Sequence, residues 1–141
     1  MTDLPNLYLA LAVQLRKTGA AAFTPLGLSW REAVMLLTLE QGVIRPTDLA
    51  KSFGMVMPTV SALGSKLETS GLIERNIRLG NGREITYDLT AKGRALCQRI
   101  KKAWEDALPV ELLRLSDKEK SVLREMFSRM SVADTKSSDI R

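Results

Sequence analysis

At residue 73 the spacing of apolar side chains changes period, and that change constrains the fold more than any other feature of the chain. Before it, Val60, Leu63 and Leu67 stand at i, i+3 and i+7, the stripe of a helix with one inward face. After it, Ile73, Arg75, Ile77 and Leu79 alternate with Glu74, Asn76 and Arg78. Beyond Gly80-Asn81-Gly82 a second run alternates Ile85, Tyr87 and Leu89 with Glu84, Thr86 and Asp88. Two alternating runs joined by a Gly/Asn turn make a β-hairpin. The rest of the sequence reads as helix, so the class is mainly α with a small β-hairpin (α+β).

Two short helices lead into the hairpin. Pro46 suits the first turn of one, with Asp48 well placed for the helix dipole, Leu49, Ala50 and Phe53 as its apolar face, and Gly54 closing it. Pro58 opens the next, over 58–70, and Gly71 caps it. With Val60, Leu63 and Leu67 inward, Thr59, Ser61, Ala62, Ser65 and Lys66 face outward. Two such helices joined by a Gly-containing turn form a helix-turn-helix, and a hairpin directly after it is a wing. A solvated helix would show Glu and Lys outward, whereas this one carries hydroxyls, an alanine and a glycine. Small groups let a helix settle into a major groove, where hydroxyls reach phosphates or base edges. Arg78 and Arg83 flank the hairpin tip, as suits a minor groove. A plain surface helix and a solvated edge turn are the alternative readings.

Longer helices flank this core. Leu4, Leu7, Tyr8, Leu11 and Leu15 form a stripe over 4–22 that faces either the core or a second subunit. Ser29-Trp30-Arg31-Glu32 is a capping box, opening a helix with Ala33, Leu36 and Leu37 that ends at Gly42. Thr90 caps a helix over 91–113 whose apolar face is Leu96, Ile100, Trp104, Ala107 and Leu108, and Pro109 should kink or break it. Ser116-Asp117-Lys118-Glu119 is a second capping box, before Val122, Leu123, Met126, Phe127 and Met130. The polar residues 131–141 read as a disordered tail. The apolar faces near Pro109 and in the first helix exceed what a monomer of this size covers, so a homodimer is expected. The organisation predicted is one domain over 1–130. Its DNA-binding core spans 28–90, and its dimerisation helices span 4–22 and 91–130.

Charge placement and absences narrow the chemistry. Residues 45–102 hold eleven Lys/Arg against five Asp/Glu, whereas the rest of the chain has ten against eleven. Basicity concentrated in the middle points to a polyanion partner. With no histidine and one cysteine, Cys97, the chain lacks the commonest general base and the ligands of a structural zinc site. No phosphate-binding loop or nucleophile elbow is present. No cofactor, metal or catalytic activity is expected; a carboxylate hydrolase built on Glu32 or Asp48 has no motif behind it. No apolar run is long enough for a membrane span. The start lacks a basic signal-peptide region, and a lone cysteine fits the cytoplasm. Cys97, beside Leu96 near an apolar stripe, reads as an inert thiol rather than a redox switch.

The runs PLGLSWREAVML, LAKSFGMVMPTVSALGSKLETSGLIER and GNGREITYDLTAKGRAL resemble the MarR family of bacterial transcription regulators over nearly all of residues 7–130. The most specific pieces are Leu67-Glu68 with Gly71-Leu72-Ile73-Glu74-Arg75, and Leu89-Thr90-Ala91-Lys92-Gly93 after a wing arginine. The resemblance implies a winged helix-turn-helix homodimer whose first and last helices interlock and whose two winged domains read an approximate palindrome in double-stranded DNA. The recognition helix would be 58–70 and the wing arginine Arg83. It also implies a cleft for a small anionic aromatic effector, which Tyr8, Arg16 and Trp30 could line. The chain departs from the family pattern at Asn81, usually Asp, which would hold Arg83 less firmly. It departs also at Ala62, often Arg, at Ser65, often acidic, and at Arg45, in place of a Ser/Thr cap.

On this reading Lys66, Arg75, Arg78 and Arg83 hold phosphates or the minor groove, and Thr59, Ser61 and Ser65 meet the major groove. The rival is a winged-helix module for protein–protein contact without DNA binding. It requires an acidic or apolar outer face on 58–70.

Overall fold

The computed structural model describes residues 3–80 and 82–139. Its elements follow from local sequence signals. Asp3 caps α1 (Leu4–Phe23) by accepting from the Asn6 amide at 3.1 Å, with a proline in the first turn. A 3-10 turn over Thr24–Leu26 ends on left-handed Gly27. The Ser29 capping box then opens α2 (Trp30–Leu39): the Glu32 amide donates to Ser29 Oγ at 3.2 Å, and the Ser29 amide donates to Glu32 Oε1 at 3.3 Å. Next come α3 (Pro46–Phe53), stopped by Gly54 at φ 61°, and α4 (Met57–Thr69). The antiparallel ribbon of β1 (Ile73–Gly80) and β2 (Gly82–Leu89) follows, paired from Ile73↔Leu89 to Gly80↔Gly82. Then comes α5 (Ala91–Ala107).

The core forms around α2. Met35, Leu36 and Leu39 are fully buried with Leu49 of α3, Val60 and Leu67 of α4, Ile73 of β1, and Cys97 and Ile100 of α5. The loop between α2 and α3 adds a short third rung to the ribbon. The Ile44 amide donates to the Tyr87 carbonyl at 3.1 Å, and the Tyr87 amide donates back at 2.8 Å. Strand β2 is thus central at Tyr87, and the helix-turn-helix is tied to the base of the ribbon.

The motif Leu89-Thr90-Ala91-Lys92-Gly93 acquires a physical explanation. Thr90 Oγ1 donates to the Gly71 carbonyl at 2.6 Å and accepts from the Gly93 amide at 3.0 Å, so one hydroxyl caps α5 and holds the exit of α4. The Thr90 amide donates to the Leu72 carbonyl at 3.1 Å. Lys92 Nζ donates to the Ser70 carbonyl at 2.8 Å, capping the C-terminus of α4. Gly93 lies so close to the Leu72 carbonyl oxygen that a Cβ there would overlap it.

The chain parts between Ala107 and Leu108 into two compact units. Pro109 accounts for the break: it cannot continue α5, and it serves as N-cap of the one-turn α6 (Val110–Leu113). In the second unit the Ser116–Glu119 capping box opens α7 (Asp117–Asp139), with reciprocal bonds of 2.9 and 3.2 Å. Helix α7 is described as far as Asp139. No proline or glycine interrupts it before Asp139, so the backbone ladder simply continues; residues 140–141 lie outside the described residues.

Helix α1 resolves the choice left open by its stripe. Only Gly19 and Phe23 are buried, while Leu4, Leu7, Tyr8, Leu9, Leu11, Val13 and Leu15 are exposed, Leu4 by 77%. The stripe does not serve the core of its own chain. In the second unit, Val110, Leu113, Val122, Met126, Phe127 and Met130 are likewise exposed. Among the described residues, no helix is long and apolar enough to cross a membrane.

Replacing Gly93 by Ala should lower stability by about 2–3 kcal/mol, the upper range for overpacking, because the obstacle is backbone rather than a mobile side chain. Urea unfolding of G93A against wild type measures this. An unchanged midpoint would show that the α4–β2–α5 junction yields.

Candidate nucleic-acid interface

Helix α4 leaves Ser61, Ala62 and Ser65 exposed, with Thr59 half-buried beside them. The outer stripe is therefore small and hydroxyl-bearing, as its spacing predicts. The glycine expected on that face is not free. Gly64 is buried beneath the ring of Tyr87, whose hydroxyl end occupies the space a Cβ would need.

Lys66 is exposed and at the same time paired within the fold. Its Nζ lies 3.0 Å from Glu32 Oε1, an ion pair across 34 residues that joins α4 to the capping box of α2. The Glu32 side chain is 6% exposed and that of Lys66 63%. Burial alone would raise the Glu32 pKa. The hydrogen bonds from Lys66 and Ser29 outweigh it and hold the carboxyl below its ordinary value of 4.5. Lys66 is thus engaged within the fold, and the box that starts one helix also fastens another. Sequence spacing reveals the box but not its partner, because that contact is tertiary.

The ribbon holds the uncommitted charge. Arg75, Arg78 and Arg83 are exposed, and none has an ion-pair partner among the described residues. Arg78 stands opposite Glu84 in register and Arg83 opposite Leu79. These are adjacent rungs, so the two arginines project from opposite faces near the tip. Glu84 is drawn instead toward Arg45, whose Nη1 lies 3.6 Å from it and whose Nε bonds Asp48 at 2.9 Å. Arg45, noticed in the sequence only as an irregular cap, links the start of α3 to the ribbon. Asn81, between the tip glycines, lies outside the described residues. By contrast, the basic side of α5 is largely engaged internally. Arg94 pairs with Asp88 at 3.7 Å, Lys101 with Glu40, Lys102 with Asp106 at 3.0 Å, and Lys92 with the Ser70 carbonyl.

Of Tyr8, Arg16 and Trp30, the last belongs to an aromatic cluster and the first two are exposed on α1. Trp30 packs on Gly19 of α1 and lies 6.0 Å, centroid to centroid, from both Phe23 and Trp104, half-buried in an aromatic cluster. Tyr8 stands eleven residues before Gly19, about 16 Å along the helix axis. Arg16 stands three residues before Gly19, about one helical turn from the Trp30 contact. Cys97 is fully buried, with Sγ 3.5 Å from the Leu36 carbonyl, and burial pushes its thiol pKa up. No group of His, Cys, Asp or Glu among the described residues could hold a metal ion.

The family model described as MarR family matches residues 28–85, the stretch from the lead-in to α2 through the first half of β2. The HTH-type transcriptional repressor Rv2887 of Mycobacterium tuberculosis is 30% identical over 131 residues, covering 91% of this chain and 94% of the relative. Two crystal structures of Rv2887 superimpose over 92% of this chain. The complex with DNA has TM-score 0.75 and 26% identity, covering 98% of that chain. The complex with salicylic acid has TM-score 0.73 and 28% identity, covering 97%.

The Glu32–Lys66 pair predicts a specific acid response. Because the folded carboxyl titrates below its unfolded value, the stabilisation is complete above pH 4.5 and is lost as pH falls through the folded pKa. In urea unfolding from pH 7 to 3, Glu32→Gln should flatten that acid loss. Lys66→Met, leaving Glu32 unpaired, should cost about 1–2 kcal/mol at neutral pH, a figure reduced by the exposure of the lysine. Parallel acid limbs for E32Q and wild type would remove the pair from the fold's energetics.

Proposed function

The chain belongs to the MarR family, and from that membership we propose that it is a DNA-binding transcriptional repressor, a homodimer on a two-fold symmetric duplex that a small aromatic acid releases. The observation that carries this reading is a division of labour in charge. The cations of α5 are largely engaged inside the fold, while three arginines on the ribbon stay free beside a helix face of small hydroxyl side chains. That arrangement suits a polyanion with a groove.

In this proposal Ser61 and Ser65 of α4 enter the major groove, and Thr59, nearer the helix start, holds a phosphate. Arg78 and Arg83, on opposite faces of the ribbon, meet the two phosphate walls of the adjacent minor groove, and Arg75 holds the backbone nearer α4. Lys66 fixes the seating of α4 on α2 and contributes to DNA chiefly through that. The rival reading, a protein–protein module, is less well supported, because the outer face of α4 is neither acidic nor apolar. The exposed apolar residues of α1, α6 and α7 supply the surfaces for a second copy. Its two recognition helices would stand one DNA turn, ~34 Å, apart.

Release by an aromatic acid is supported by the salicylic acid complex of Rv2887. Because Tyr8 stands about 16 Å along α1 from the Trp30 contact at Gly19, a pocket that used Tyr8 would take its other wall from the partner chain. The protein is proposed to act in the cytoplasm, on DNA, without catalysis.

Two measurements test this. In fluorescence anisotropy with a duplex selected from a random library, affinity should fall steeply with salt. Arg83→Ala should weaken binding about tenfold on most sequences and reduce the salt slope by about one unit. An unaltered affinity for R83A at moderate salt would remove the ribbon from the interface. Sedimentation should give twice the chain mass, and Leu7→Glu with Leu11→Glu should give the monomer; a monomeric wild type at micromolar concentration would overturn the dimer.

A further inference from the structure

Between α4 and the ribbon, a small recess of about 140 Å³ is lined by Ser61, Gly64, Ser65, Glu68, Arg75 and Tyr87. Tyr87 is its unusual member. The residue is 5% exposed and belongs to the central strand of the ribbon, fixed by its two backbone bonds to Ile44. Its ring crosses the one position of α4 with no side chain, Gly64, where its hydroxyl end fills the place of a Cβ. The hydroxyl bonds no protein atom among the described residues, yet it is not sealed from solvent. It opens into the recess.

A phenol packed on a recognition helix at a glycine, with no protein partner among the described residues, is free to donate to an acceptor from outside the chain. The surroundings indicate which. Ser61 and Ser65 add two hydroxyl donors from the rim, and Arg75 stands directly across from Tyr87 in the ribbon register. Three hydroxyls and a guanidinium describe an oxyanion seat. Glu68 is the one acid in the lining. It suits the recess to a single oxygen of a diester held by neutral donors and Arg75, rather than to a free, doubly charged anion.

We infer that Tyr87 is a DNA-contacting residue, reaching from strand β2 across Gly64 to donate its hydroxyl to a backbone phosphate that Arg75 holds from the other side. The inference rests on the DNA-binding reading above and adds to it a contact made by neither the outer stripe of α4 nor the ribbon tip. The phenol acts as a donor at neutral pH, consistent with burial raising its pKa. Its contribution differs in kind from that of an arginine. As a neutral group it displaces no counterion, so it adds affinity without adding to the salt dependence.

Tyr87→Phe isolates the hydroxyl, because the ring that covers Gly64 remains; an unchanged urea midpoint verifies the fold. On a duplex selected by the wild-type protein, Y87F should bind about tenfold more weakly, the weight of a hydrogen bond to a charged group, with an unchanged salt slope. Arg75→Ala should lower that slope by about one unit. Replacing single phosphates by uncharged methylphosphonates should abolish the difference between Y87F and wild type at one position in each half-site. If Y87F binds as tightly as wild type while R83A is weakened, the inference is overturned and the DNA-binding reading stands. If the Y87F loss persists at every neutralised phosphate, the hydroxyl meets a base and the phosphate assignment fails. If the wild type binds no selected duplex, the DNA-binding reading itself fails and this contact with it.

Discussion

One backbone carbonyl, that of Leu72, governs the arrangement of the winged part of this chain. It accepts from the Thr90 amide, and Gly93 sits against its oxygen with no room for a side chain. Around it the exit of α4, the end of β2 and the start of α5 converge on a few atoms. The Thr90 hydroxyl and the Lys92 ammonium meet the carbonyls of Gly71 and Ser70 that a helix end would otherwise leave unpaired. The direction of the ribbon relative to α4 is therefore set at its base by hydrogen bonds. Near its tip, Arg78 and Arg83 are exposed.

A second constraint works on charge. Sequence counting locates an excess of cations in the middle of the chain, but counting does not distinguish cations that hold the fold from those that face outward. Lys66 is held by a nearly buried carboxylate, Arg45 spans two acids, and three of the basic residues of α5 pair with acids. What remains on the ribbon is a short row of arginines on both faces. A binding surface defined by such subtraction is smaller than the basic segment, and it is better aimed.

Much of this was legible from residue spacing. Both capping boxes, the glycine ends of the helices, the two alternating strands of the hairpin and the break at Pro109 are local chemistry, fixed within a few positions along the chain, and the structure reproduces them. What spacing misses is tertiary. Gly64 reads as outward because helical spacing reports which way a position faces on its helix, not what arrives from elsewhere, and a tyrosine from β2 covers it. Lys66 faces outward as its spacing predicts, but its bond to a carboxylate 34 residues earlier is not legible in that spacing. The apolar stripe of α1 was legible as a stripe, yet only the fold shows that its own core leaves it uncovered.

The aromatic cluster of Phe23, Trp30 and Trp104 has an optical consequence. The chain contains two tryptophans, and their rings lie 6.0 Å apart, edge to face, where α1, α2 and α5 meet. Its indole emission and near-ultraviolet dichroism therefore come from a single location, remote in sequence from the ribbon tip. The molecule carries its own spectroscopic probe of how those three helices are joined, and that probe is silent about the arginines on the ribbon.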